Sequence, residues 1–91
     1  MAETQTETAP GFEASFSVLV TSIASTALIS MGLAPNPQNQ QIEKDRHMAR
    51  FNIDLLSVLQ QKTKGNLSDD EGKFLDALLS DLQLKFIQMR D

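Results

Sequence analysis

Three stretches of the chain repeat apolar residues every three or four positions, the period of a helix with one buried face, and polar segments rich in Pro, Gly and Asn separate them. The pattern predicts helices over about 15–31, 42–63 and 69–89. No run alternates apolar and polar residues long enough for a strand, and no segment repeats. The expected fold is all-α: a three-helix unit of helical hairpins, in a single domain over 12–91, assembled into a homo-oligomeric bundle. Residues 1–11 (MAETQTETAPG) hold too little apolar surface to offset the entropy of ordering and are expected to form a disordered tail.

The boundaries of these helices follow from local chemistry. Gly32 suits the left-handed position after helix one, and Pro35 and Pro37 block its continuation. Lys62 and Lys64 favour the negative end of helix two, with Gly65 and Asn66 as candidates for positive φ. Ser68 and Glu71 have the spacing of a reciprocal capping box at the start of helix three. Asp69 and Asp70 add favourable charge there, whereas Gly72 costs up to about 1 kcal/mol relative to Ala.

Residues placed 100° apart give each helix an orientation. Helix three carries a main stripe of Phe74, Leu75, Leu78, Leu79, Leu82, Phe86 and Met89, expected to be core. Helix two is apolar over more than half its circumference (Ile42, Met48, Ala49, Phe51, Ile53, Leu55, Leu56, Val58, Leu59). It is therefore expected to be central, packed by helices one and three. Asn52 falls within that arc, where an unpaired amide is costly; either a local hydrogen bond or a register-setting bond across an interface satisfies it.

Helix one has an apolar half (Phe16, Leu19, Val20, Ile23, Ala24, Ala27, Met31) and an uncharged half. On the latter, Ser17, Thr21 and Ser25 repeat every four residues, as do Ser22, Thr26 and Ser30, with Val18 and Ile29 among them. Small residues in such ladders let backbones approach closely, and a merely solvated face would more commonly carry Lys or Glu. A smaller apolar set on helix three, Ala77, Leu84 and Ile87, lies away from the main stripe. The two faces together predict a homo-oligomer, a dimer above other states.

Composition narrows the function classes. A chain of 91 residues buries a modest share of its surface, and with no cysteine it lacks disulfides, thiolate metal ligands and a thiol nucleophile. A net charge of −4 argues against a nucleic-acid partner. No basic region precedes an apolar stretch at Met1-Ala2-Glu3-Thr4, so a cytoplasmic location is the expectation. Phe16–Leu33 holds no charge and approaches the length of a membrane span. Its six Ser and Thr residues and acidic flank weaken that reading, which stands as an alternative anchor, as does a third role as carrier of an apolar small molecule between helices.

No catalytic, cofactor or metal site emerges. His47 lies on the polar strip of helix two with Arg50 and Asp54; a metal site needs closer spacing and further ligands, whereas Arg50 and Asp54 have ion-pair spacing. Lys62-Thr63-Lys64-Gly65-Asn66-Leu67 lacks the upstream glycine and preceding strand of a phosphate loop. Asp69-Asp70-Glu71 lacks the alternating oxygens of a calcium loop. A non-enzymatic, self-associating interaction module is the leading expectation.

Ile53-Asp54-Leu55-Leu56, Leu59, the Lys62–Leu67 segment, Glu71 and the Leu-rich closing helix resemble a family of small bacterial proteins, domain of unknown function eighteen forty-four. Phe16 through Leu28 and Gly32-Leu33-Ala34-Pro35-Asn36-Pro37 fit its other hallmark, so the resemblance spans about Phe16–Ile87. Phe86 stands where a Tyr is expected, and Gly72 where an acidic helix former is typical. The resemblance implies a small helical bacterial protein and brings no activity, cofactor or catalytic residue.

Overall fold

The structure, a computed structural model, describes residues 13–89. The segment 1–11, expected as a tail, lies outside the described residues. Three helices follow in order: α1 (Phe16–Ser30), α2 (Arg46–Lys62) and α3 (Asp69–Gln88). They pack against one another as an all-α unit.

Each helix begins where a side chain can accept from its unpaired amides. Ser15 Oγ accepts from the Val18 amide at 3.1 Å, and Asp45 Oδ1 accepts from the Met48 amide at 3.0 Å. At α3 the Ser68 hydroxyl accepts from the Glu71 amide (3.2 Å) while a Glu71 carboxylate oxygen accepts from the Ser68 amide (2.9 Å), a complete capping box. Helix α2 thus starts at Arg46, four residues after Ile42, the start expected from apolar spacing. The reason is Asp45: its carboxylate caps the helix and its amide donates to the Ser30 carbonyl at 2.8 Å, which fixes the entry of α2 beside the end of α1.

Helix α1 ends in a Schellman motif. Gly32 takes φ +78°, its amide donates to the Ile29 carbonyl, and the Leu33 amide donates to the Leu28 carbonyl, both at 3.0 Å. After α2, Gly65 takes φ +87°, whereas Asn66 does not adopt positive φ; Gly65 alone of that pair supplies the left-handed turn. The segment between α1 and α2 bonds to itself through Asn36 and Asn39, whose side-chain oxygens accept from the Gln38 and Gln41 amides. A single antiparallel bridge, Met31 to Lys44, closes it.

The core draws residues of 4,3 spacing from every helix: Val20, Ala24, Ala27 and Met31; Ala49, Ile53 and Leu56; Leu75, Leu79 and Leu82. Leu56, Leu75, Leu82 and Val20 are fully buried, each worth about 1.5–3 kcal/mol of apolar burial. Ala24, Ala27 and Ala49 are also buried, and their small side chains let α1 and α2 lie close together.

The buried residues of α2 occupy one flank, not the wide arc expected of a central helix. Met48, Phe51 and Val58 are 44%, 55% and 49% exposed. Arg46 and Gln60 meet α3, through a stack on Phe86 and a 2.7 Å hydrogen bond to Asp76. Among the described residues no further helix covers the opposite side.

Candidate interaction surface

On α2, Met48, Phe51, Leu55 and Val58 follow steps of three and four and form one ridge. Leu55 is half-buried and the other three are exposed. The periodicity of α2 revealed that these positions are apolar, but only the placement of α3 shows that they lie uncovered.

Beside this ridge runs the exposed side of α1. Val18 and Leu19 are exposed, Ile29 is half-buried, and Ser22 and Thr26 lie between them on the surface. Met48 and Ile29 line one hollow with Thr26 and Ser30 and with Asn36, Pro37, Gln38 and Glu43 of the linker, so the α1 and α2 surfaces meet there beside the linker. Of the first hydroxyl ladder, Thr21 and Ser25 are exposed and Ser17 is half-buried. A shallow depression of about 580 Å³ spans Val18, Ser22, Ser25, Thr26 and Ile29, with Pro37 at its rim.

The second ladder is chemically quiet. Ser22 Oγ donates to the Val18 carbonyl at 2.9 Å, Thr26 Oγ1 to the Ser22 carbonyl at 3.1 Å, and Ser30 Oγ to the Thr26 carbonyl at 2.9 Å. Each hydroxyl proton is spent on the preceding turn. Covering Ser22, Thr26 and Ser30 leaves none of these three donors unmet, which lowers the penalty for drying that part of the surface.

Asn52 is buried, and its Nδ2 donates to the Met48 carbonyl at 2.9 Å, a local bond within α2. Its Oδ1 accepts no hydrogen bond from the described residues.

The remaining candidates do not converge. Leu84 and Ile87 (76% exposed) project from α3 with Ala77, on the side away from Leu75, Leu79 and Leu82. This patch is narrower than the α1/α2 face. His47 is exposed, and Arg50 and Asp54 approach to 3.7 Å as an exposed ion pair, an arrangement that contributes little to stability. Among the described residues no three His, Asp or Glu side chains gather as metal ligands. The Lys62–Leu67 turn borders a cleft of about 550 Å³ with Asp69, Lys73 and Asp76 on its α3 side.

Phe16–Leu33 is not a continuous span: α1 stops at Ser30 and the Gly32 turn follows. No helix among the described residues is long and apolar enough to cross a membrane.

These features define a small three-helix protein with one broad apolar face and no group of three metal-ligating side chains among the described residues. A family model, Domain of unknown function (DUF1844), matches residues 13–88, and the chain belongs to that family. No curated protein and no solved structure matches it.

Proposed function

We propose that this chain is a non-enzymatic interaction module that associates with a second copy of itself through the α1/α2 face. The observation that carries this reading is the ridge Met48–Phe51–Leu55–Val58 beside a helix on which the exposed Ser22 and Thr26 hydroxyls already donate to the preceding turn. An apolar face of that breadth on a small domain marks a contact surface. The charge pattern supports a like partner: α1 carries no charge over Phe16–Ser30, so two acidic chains can meet there without direct repulsion. In this reading the protein is bacterial and cytoplasmic and works without a cofactor, and the Ala77/Leu84/Ile87 patch is a lesser contact.

Sedimentation velocity on the full chain between about 1 and 100 μM tests the proposal, a range chosen for an interface of modest area. The expected result is a monomer–dimer equilibrium that Phe51→Glu shifts to monomer while the helical circular dichroism is retained. A monomer throughout that range in the unmodified protein would refute it.

A further inference from the structure

We draw no further inference here: the strongest candidate, the cleft between the Lys62–Leu67 turn and the first turns of α3, away from the apolar face already described, carries nothing, because it rests on the acidic N-terminus of α3 and none of the polar side chains lining it is buried.

Discussion

The Arg46 guanidinium lies over the Phe86 ring, 4.5 Å from its centroid, and joins the first residue of α2 to the end of α3. Arg46 Nη1 also donates to the Met89 carbonyl at 3.4 Å, so one side chain holds the aromatic face and a free carbonyl of the helix terminus. A stack of this kind contributes about 1 kcal/mol. Arg46→Ala and Phe86→Leu should each lower the melting temperature by about 5 °C in a domain of this size, whereas Phe86→Tyr preserves the ring and should change it little. A double-mutant cycle separates the stack from the other bonds of Arg46. Zero coupling between positions 46 and 86 in urea unfolding would show that the stack contributes nothing.

Two glycines with positive φ should respond differently to the same substitution. At Gly65 a Cβ meets nothing within 4 Å, so Gly65→Ala costs only the left-handed backbone, about 1–2 kcal/mol, and the β-branched Gly65→Val costs more. At Gly32 a Cβ would lie 2.8 Å from Lys44 Cγ, in addition to the same backbone strain. Gly32→Ala should therefore be the more destabilising of the two alanine variants, with favourable coupling to Lys44→Ala in a chemical denaturation cycle. Equal losses at both positions would mean that the Lys44 side chain moves aside freely.

Gly72 presents the opposite case. It lies in the first turns of α3 with ordinary helical φ, and no atom stands within 4 Å of an added Cβ. Gly72→Ala should stabilise the protein by about 0.5–1 kcal/mol by restricting the unfolded chain and improving helix propensity. A fall in the denaturation midpoint would show that the open space beside Gly72 is needed by something else in the folded protein.

The parts of this fold that were legible in the sequence are those fixed by residues close together along it. The Ser68–Glu71 box spans one helical turn, and Gly32 follows an uninterrupted uncharged helix, so each could be read from neighbours alone. The start of α2 was misplaced because Ile42 continues the apolar spacing, while the decisive contact, the Asp45 amide to the Ser30 carbonyl, reaches back across the linker. The same limit applies to the surface. Periodicity identified Met48, Phe51, Leu55 and Val58 as apolar and assigned them to core, since a wide arc on α2 called for neighbours on two sides. Which side of α2 receives α3 depends on contacts such as Gln60 with Asp76, and these are tertiary. On α1 the ladder of Ser22, Thr26 and Ser30 was visible as a pattern, but its meaning rests on where each hydroxyl proton goes.

Asn52 offers a test that bears on stability and association together. Its Nδ2 bond to the Met48 carbonyl adds to a carbonyl that already serves the α2 backbone, and its buried Oδ1 accepts no bond from the described residues. Leu has similar size and leaves no polar atom to desolvate, so Asn52→Leu should stabilise the monomer by about 1 kcal/mol, measured by urea unfolding at low micromolar concentration. Asn52→Asp places a carboxylate in the same position and should cost more than about 2 kcal/mol. If Asn52→Leu instead destabilised the protein, and did so more strongly as protein concentration rose, the Asn52 oxygen would have a partner in the assembled state. The amide would then act as a register device between copies, at the cost of stability in the isolated chain. A loss independent of concentration would place the missing partner within the monomer and exclude that role.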